Sequence, residues 1–408
     1  MLMRYFIFGG GCMRVLLLNH FPLVGSGSGP YICNIAKSLI ERGHQACIII
    51  PENTTNISEI NGVKIHPVYF KRNETIKGQL DFNFPCMDPH PRSSLLFNNM
   101  TAIQIEQYVE AFRKAIEEEI KTFKPDVIHT QHIWIISGLL KKYNIPYVIT
   151  SHGAEFITYG RTNIFDKFGY DAADGCKKII TISKENEEEI LKKFPMTKDK
   201  LMYVRNGYNP KDFYIDNYDR DEVLKNKGIP AKFDKIVLFA GRISKLKGLD
   251  ILIKATQIYE KENVATLIAG DGAYRDDLER LAKELNLKNV FFLGSIPHEE
   301  LRAWYNIADV FVLPSRKEAL PLVVIESLAC GTPAIVTDKT GMEAIINKDV
   351  GLTFEMDNYK MLAERINSVL NEKYVFEPEK LSNHAKNNYS QETLMNTLLG
   401  LYEEIRIK

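Results

Sequence analysis

Short apolar runs alternate with amphipathic segments along most of this 408-residue chain, and that alternation limits the folds it can adopt. RVLLLN (14–19) and QACIIIP (45–51) are apolar almost throughout, as strands covered on both faces are. Between them, PYICNIAKSLIERG has apolar residues at helical spacing. The same alternation continues in DVIHT, PYVITSHG, KIITISK and LMYVRNG, and again from KIVLFAGR (235–242) to PAIVT (333–337). This pattern predicts parallel sheets with helices on both faces.

The length of the chain and one polar segment divide this pattern into two domains. A chain of 408 residues exceeds one ordinary hydrophobic core. Residues 208–235 are polar, charged and proline-bearing, as an interdomain linker is. We therefore expect an α/β protein with two doubly wound, Rossmann-like domains facing each other across a cleft. The predicted boundaries are an upstream extension at 1–12, a first domain at 13–210, a second domain at 211–384 and a C-terminal helical segment at 385–408.

Composition excludes several classes of protein. Lys+Arg and Asp+Glu number 52 each, so no overall field attracts nucleic acid. No apolar run is long enough to cross a membrane. The spacing of the six cysteines is not typical of a metal site or a disulfide framework, which predicts reduced core thiols in a cytoplasmic protein. Peripheral association with the inner face of a membrane stays open, because the charge balance does not oppose it.

Two loops between a strand and a helix have compositions typical of anion-binding sites. In VGSGSGP (24–30), glycine lets backbone N–H groups approach an oxyanion, and the following helix N-terminus favours negative charge. A flexible turn is the alternative, and Pro30 breaks the GxGxxG pattern of a dinucleotide-dependent oxidoreductase. In GRISKLKG (241–248), Arg242, Lys245 and Lys247 are placed to meet a diphosphate. The alternative here is a solvated basic loop.

Two glutamates bracket the apolar segment that begins EALPLVVIESLACG. Pro321 is suited to the start of a helix, which places Glu318 in the preceding loop and Glu326 about a turn and a half inside. Both carboxylates can then reach one bound molecule, and carboxylates accept hydrogen bonds from sugar hydroxyls. The alternatives are a helix cap for Glu318 and a pair with a surface lysine for Glu326.

Histidines and a long insertion complete the set of candidate residues. His152 follows a strand in TSHGAE and is expected to line the cleft, whereas His129, in DVIHTQH, is at least as well explained as structural. No HExxH spacing predicts a metal site. The irregular insertion at 71–104 has the length of functional or disordered loops. It offers four residues to an acceptor, with a surface role as the alternative for the arginine: Phe82, Phe84, His90 and Arg92.

Taken together, these segments resemble the retaining nucleotide-sugar glycosyltransferases of family 4, which have the GT-B fold. The likeness runs in order over nearly the whole chain. In the first half it includes the SGSG loop, RGHQACII, KPDVIHTQH, VITSHGAEF and LMYVRNGYN. In the second half it includes FAGRISKLKG, LIAGDG, FFLGSIPHEEL, ADVFVLPSRKEALPLVVIESLACGTPAI and the final YSQETL…LYEEI. The terminal helix is similar to one that crosses back to the first domain.

This resemblance implies roles for individual residues. Glu318 would contact hydroxyls of the donor sugar, and Glu326 would bind the nucleotide ribose. Arg242 and Lys247 would neutralise the donor diphosphate, and His152 would border the donor sugar. The other positions implied to contact the donor are Gly27, Ser28 and Gly29 at the phosphates, Ser295 and Ile296 at the base, and Ala319, Leu320, Pro321 and Leu322 at the sugar or phosphate. Acceptor contacts are expected from His90, Arg92 and His132.

The implied reaction transfers a hexosyl or N-acetylhexosaminyl unit to a hydroxyl acceptor with retention, without a metal or cofactor. A UDP-sugar is the favoured donor, UDP-GlcNAc or UDP-glucose, and the acceptor is a small molecule or a lipid-linked or other glycan. Three alternatives stay open: a GDP-mannose-dependent mannosyltransferase, a same-fold enzyme such as a nucleotide-sugar epimerase, and a non-catalytic binding module.

One departure from the family pattern matters. Leu320-Pro321 stands where many relatives have Phe-Gly, and Pro321 lacks an N–H to donate to a phosphate.

Overall fold

The computed structural model describes residues 11–406 except 58, 74, 88–89, 205–206, 260–262, 319–320, 340–341 and 343–344. The chain forms two compact units. Met1–Val204 and Met395–Lys408 make up the first, and Arg205–Leu394 make up the second. Each unit has its own parallel sheet and its own hydrophobic core, so the predicted α/β class with two doubly wound domains is confirmed. Of the predicted extension at 1–12, residues 1–10 lie outside the described residues.

The first unit is built on a seven-stranded parallel sheet in the order β3-β2-β1-β4-β5-β6-β7. Its strands are β1 Arg14–Leu18, β2 Gln45–Glu52, β3 Lys64–Tyr69, β4 Val127–Gln131, β5 Tyr147–Thr150, β6 Lys178–Thr181 and β7 Leu201–Tyr203. Its helices are α1 Ser28–Glu41, α2 Ala102–Thr122, α3 Ile135–Leu139, α4 Ala154–Tyr159, α5 Asp166–Gly175 and α6 Lys184–Lys193. The 21-residue α2 begins with a capping box, in which Thr101 and Gln104 hydrogen-bond each other's backbone N–H groups.

The second unit has a six-stranded parallel sheet in the order β10-β9-β8-β11-β12-β13. Its strands are β8 Lys235–Ala240, β9 Val264–Ala269, β10 Val290–Gly294, β11 Val310–Leu313, β12 Ala334–Thr337 and β13 Gly351–Phe354. Its helices are α7 Arg220–Lys225, α8 Leu249–Tyr259, α9 Arg275–Glu284, α10 Leu301–Ile307, α11 Leu322–Ala329, α12 Tyr359–Leu370 and α13 Pro378–Tyr389. The last helix, α14 Gln391–Ile405, begins in the second unit and continues into the first.

Central strands supply most of each core. In β1, β8 and β11, nearly every side chain is inaccessible to solvent, which matches the apolar runs in the sequence. Burying one Leu or Ile side chain contributes about 1.5–3 kcal/mol to stability. Two strands were not predicted, β3 (KIHPVY) and β13 (GLTF). Both lie at the edge of a sheet, where one side of the strand is unpaired and a continuous apolar run is not required.

Each sheet has a point at which the strand order reverses. In the first sheet the reversal lies between β1 and β4, and in the second it lies between β8 and β11. Ligands of open parallel sheets bind at such a point, beyond the carboxyl ends of the strands. The segments that follow these four strands are therefore where functional side chains are to be sought.

All six cysteines are reduced, and none of them forms a disulfide bond. Cys47, Cys86, Cys176 and Cys330 are buried, as predicted, whereas Cys12 is exposed and Cys33 is half-buried. Within the described part of the chain, no helix has both the length and the apolar character that a bilayer-spanning segment needs.

Candidate active site

An ion pair joins the two segments that leave the reversal point of the second sheet. The ammonium group of Lys247, on the segment after β8, donates to Oε1 of Glu318, on the segment after β11. The hydroxyl of Ser315 donates to the same carboxylate oxygen at 2.8 Å. Both charged groups are mostly shielded from solvent, with side-chain exposures of 25% and 11%. The structure thus brings together two residues that lie 71 positions apart in the sequence.

The segment between β8 and α8 presents basic side chains around this pair. A short 3-10 turn, Lys245–Lys247, fixes the backbone that carries Lys247. Arg242 follows β8 closely and is exposed, and it has no ion-pair partner among the residues that the structure describes. A guanidinium has five N–H donors, so an exposed arginine can bind an anionic ligand. Ala319 and Leu320, which were predicted to contact a donor, lie outside the described residues.

Glu326 is buried in α11 with both carboxylate oxygens hydrogen-bonded. Helix α11 starts directly after Pro321, as predicted, so Glu326 lies in its second turn. Oε1 contacts Nε2 of His298 at 2.9 Å, and Oε2 accepts from the hydroxyl of Tyr305 at 3.2 Å. A carboxylate that is only 2% exposed is therefore held in one orientation from two sides.

His298 is a residue of this site that sequence reasoning missed. Its ring is exposed on one side and packs edge-on against Phe213 at 4.9 Å between centroids. The hydrogen bond to Glu326 raises the pKa of His298 above its ordinary value. Two predicted residues lie just before it: Ser295 is exposed, and Ile296 is half-buried against the core. In the sequence, His298 lies close to the two predicted base contacts, and this proximity was the available signal. Its carboxylate partner, Glu326, is 28 residues away along the chain.

In the first unit, the glycine loop after β1 leads directly into helix α1. Gly27 is exposed and immediately precedes the helix, with open space where a side chain would be. Ser28 is buried and donates to Oδ1 of Asn19 at 3.1 Å. The buried Gly29 donates its N–H to Oγ of Ser26 at 3.1 Å. Of the three predicted residues, Gly27 is thus the accessible one, while the other two support the loop.

His152 lies beyond the end of β5 as a neutral imidazole. Burial, followed by the nearby His132, lowers the pKa of His152 to about 3. Nε2 of its ring contacts Oε1 of Gln131 at 2.8 Å, and the ring packs edge-on against Tyr31. His152 can therefore donate or accept a hydrogen bond at neutral pH, but it does not supply positive charge.

His132 follows β4 in a left-handed backbone conformation, with φ at 68°. Such a conformation is uncommon for a residue other than glycine. Its Nδ1 contacts Oε2 of the buried Glu155 at 2.9 Å. Burial alone would raise the pKa of Glu155, but His132 and the hydrogen bond from Ser151 lower it to about 2, so this carboxylate is charged.

Several polar atoms at this edge are buried without a hydrogen-bond partner in the described structure. They are Nε2 of His132, Nε2 of His20, Nε2 of Gln131 and Nδ2 of Asn19. Most buried polar groups in proteins are paired, and exceptions often mark a site for water or a ligand. All four residues lie at or directly after the carboxyl ends of β1 and β4, at the reversal point of the first sheet.

The insertion at 71–104 is packed against the first unit. Phe84 is fully buried and Phe82 nearly so, which places both rings in the core and not on a surface that an acceptor could reach. Arg92 makes two hydrogen bonds to Glu52, at 2.8 and 3.0 Å, so its charge is not available to a phosphate. His90 is half-buried, and its Nδ1 accepts from the backbone N–H of Arg92.

Two further histidines have structural partners. His129, for which a structural role was the alternative, contacts the hydroxyls of Tyr402 on α14 and Thr150 at 2.6 and 2.7 Å. His66 lies with Glu118 and Glu119 in a group whose possible ligand atoms are within 4.8 Å of one another. Lys64 and His66 already hydrogen-bond both oxygens of Glu119, so this carboxylate serves as an ion-pair partner.

Two family models match the chain. The model for glycosyl transferases group 1 matches residues 219–391, and that for glycosyltransferase family 4 matches residues 89–212. Together they span nearly three quarters of the sequence. A relative along almost the whole length is an uncharacterised glycosyltransferase of Methanocaldococcus jannaschii. It is 28% identical over 401 residues, which cover 94% of this chain and 95% of the relative.

Solved structures of glycosyltransferases share the fold. A glycosyltransferase from Rickettsia africae superposes with a TM-score of 0.73 at 21% identity, covering 97% of this chain and 99% of its own. HepE from Anabaena, solved in complex with UDP and glucose, superposes with a TM-score of 0.71 at 16% identity, covering 96% and 100%. The two parallel sheets, the ordered motifs and both family models lead to one conclusion: the chain belongs to the GT-B glycosyltransferases of the family 4 type.

Proposed function

We propose that this glycosyltransferase moves a hexosyl or N-acetylhexosaminyl unit from a nucleotide-diphosphate sugar to a hydroxyl group, with retention of anomeric configuration. The contact between Lys247 and Glu318 is the observation that carries the proposal. The two side chains lie within one hydrogen bond of each other, and we assign the cation to a phosphate and the carboxylate to sugar hydroxyls. A nucleotide-diphosphate sugar has the matching order of groups, because its β-phosphate is bonded directly to the sugar.

In this reaction, negative charge develops on the β-phosphate as it leaves the anomeric carbon. Lys247 and the exposed Arg242 would stabilise that charge without a metal ion. Both side chains are carried by the segment that leaves β8 at the reversal point of the sheet. Glu318, already oriented by Ser315, would accept hydrogen bonds from sugar hydroxyls once the ammonium group turns to the phosphate. The backbone N–H of the exposed residue Gly27 is proposed as a further phosphate contact.

Nucleotide recognition is assigned to the segment around Glu326. Its buried carboxylate would accept from the ribose hydroxyls, and Ser295 and Ile296, which precede its partner His298 in the chain, would meet the base. UDP is the favoured nucleotide, since the GSGSG loop is similar to that of relatives that use UDP-GlcNAc, and the HepE structure contains UDP and glucose. GDP-mannose remains the alternative donor.

The reversal point of the first sheet is the proposed site for the acceptor hydroxyl. Its unpaired polar atoms belong to histidine and amide groups, and the charge of Arg92 is neutralised by Glu52. These groups favour hydroxyls over a phosphate or a carboxylate. His152, as a neutral imidazole, would hydrogen-bond a sugar hydroxyl and would not act as an acid at neutral pH.

A donor screen tests this proposal. Thermal unfolding would be followed with UDP-glucose, UDP-GlcNAc, GDP-mannose and the corresponding diphosphates, since a ligand at one hundred times its Kd stabilises the native state by about 2.7 kcal/mol. We expect one donor to raise the Tm of the native protein and to raise the Tm of Lys247→Ala by a smaller amount. Transfer to simple glycosides, followed by NMR of the product, would then report retention. Epimerisation of the donor alone, or no stabilisation by any of these compounds, would contradict the proposal.

A further inference from the structure

We propose that Arg316 is a positioning residue that sets the separation of Lys247 and Glu318. This inference rests on the proposed function, because it concerns the site at which the donor diphosphate and sugar would bind. Arg316 lies two residues before Glu318, on the segment that leaves β11. Its contacts reach across to the segment that carries Lys247.

Arg316 hydrogen-bonds the backbone carbonyl groups of the two residues that precede Lys247. Its backbone N–H donates to the carbonyl of Leu246 at 2.8 Å. Its Nη1 donates to the carbonyl of Lys245 at 2.7 Å. Backbone and side chain of one residue thus fix the 3-10 turn from which the Lys247 ammonium extends.

Two carboxylates hold the guanidinium group in this position. Nη1 and Nη2 make a bidentate pair with Asp250 on α8, at 2.9 and 2.7 Å. Nε donates to Asp357, before α12, at 2.7 Å. Four of the five N–H groups of an arginine are thereby used. A guanidinium engaged in this way has little left to offer a phosphate, so Arg316 acts through its neighbours and not as a ligand.

The same two segments also touch through their backbones. Gly248 has a φ of +63°, and a Cβ atom built on it would lie 2.0 Å from the carbonyl oxygen of Pro314. A side chain at this position would therefore force the segments apart. The approach of Gly248 to Pro314 and the contacts of Arg316 form one junction, with Lys247 and Glu318 extending from its two sides.

The consequence is that loss of Arg316 would release the turn that carries Lys247 while leaving Lys247 and Glu318 in the chain. Catalytic groups must be held within a fraction of an ångström of their productive positions, and small displacements cost large factors in rate. Lysine cannot replace the arginine here, because it lacks the planar fork that makes the bidentate contact.

Calorimetry with UDP and GDP tests this role in four proteins: native, Arg316→Ala, Lys247→Ala and the double variant. We expect Arg316→Ala to weaken diphosphate binding about tenfold in the native background and about twofold or less when Lys247 is already absent. Arg220→Ala is the matched control. Arg220 is similarly shielded, with 32% side-chain exposure against 29%, but it pairs with Asp309 at the amino end of β11. This control should bind the diphosphate like the native protein.

Equal weakening in both backgrounds would show that Arg316 acts independently of Lys247 and would overturn the inference, as would unchanged binding by Arg316→Ala. If Arg316→Ala does not fold, Asp250→Asn provides the second test, because it removes the charge partner and keeps the volume. It should weaken binding by about threefold, and native affinity would again overturn the inference. Absence of UDP and GDP binding by the native protein is a separate outcome, which would refute the proposed function itself.

Discussion

Lys247 and Ser315 both donate to Oε1 of Glu318. One carboxylate oxygen thus joins a cation from the segment after β8 to a hydroxyl from the segment after β11. The second oxygen, Oε2, has no hydrogen bond to any residue that the structure describes. This arrangement orients the carboxylate and leaves one acceptor for a ligand hydroxyl, while the ammonium group stays close enough to reach an adjacent phosphate.

Replacing Lys247 by alanine should reduce turnover by about 10²–10³, the usual effect of removing one preorganised charge-stabilising donor. Lys254→Ala, an exposed lysine on α8, is a matched control that should retain native turnover. Steady-state transfer rates at saturating donor give the comparison. A folded Lys247→Ala enzyme with near-native turnover would contradict the assignment of this residue to the leaving phosphate.

Glu318→Ala should reduce sugar transfer far more than binding of the bare nucleoside diphosphate. The reason is that its proposed partners are sugar hydroxyls, which the diphosphate lacks. Calorimetry with the diphosphate and rate measurements with the whole donor separate the two effects, and Glu318→Gln tests whether the charge or the acceptor oxygen matters. If diphosphate affinity fell as much as the transfer rate, Glu318 would belong to the phosphate site.

Two glycines of the loop before α1 should respond in opposite ways. A Cβ atom at Gly29 would lie 2.2 Å from the carbonyl oxygen of Leu23, so Gly29→Ala should destabilise the first unit by about 1–3 kcal/mol. Gly27 has helical dihedral angles and open space around it, so Gly27→Ala should keep native stability.

Chemical denaturation measures the stability of both variants, and transfer assays measure their activity. Gly27→Ala is expected to lose activity without losing stability, because the methyl group would stand where a phosphate approaches the loop. Equal destabilisation by both substitutions would contradict the geometry of the loop, and native activity of Gly27→Ala would remove it from the phosphate site.

Stability should depend on pH through His298. Its hydrogen bond to Glu326 raises the pKa above 6.5, with further contributions from Asp212 and Glu299. A raised pKa means that the stabilisation is fully present below about pH 6.5 and is lost as the pH rises through the higher folded-state value. The Tm difference between native protein and His298→Gln should therefore shrink with rising pH. In Glu326→Gln, which lacks the main partner charge, the same substitution should show a Tm difference that depends much less on pH, because only Asp212 and Glu299 remain to raise the pKa of His298.

Most of the fold was predictable because its central strands are apolar on both faces. β1 and β8 read as continuous hydrophobic runs, and the structure places strands there with nearly the predicted bounds. The edge strands β3 and β13 were missed because neither is a continuous apolar run: β3 contains Lys64, His66 and Pro67, and β13 (GLTF) has only two apolar side chains. The insertion was predicted as a loop, but the burial of Phe84 depends on tertiary packing that local sequence does not report.

For the candidate site, residue type and position at a strand end were enough to indicate Lys247, Glu318 and Glu326. The partners of these residues were not predictable. His298 and Arg316 are linked to the site by contacts between segments that are distant in sequence. Arg92 is the opposite case. Its proposed role assumed an unpaired charge, but in the folded chain its guanidinium group is paired with Glu52.

A crystal structure with a bound nucleotide-diphosphate sugar, UDP-GlcNAc first, is the most direct test of the proposed donor site. We predict the diphosphate against Lys247 and Arg242, the ribose hydroxyls on Glu326 and the sugar hydroxyls on Glu318, with the Lys247–Glu318 contact opened by the donor. A donor bound elsewhere on the chain, or one bound with Glu318 and Glu326 both directed away from it, would contradict this assignment.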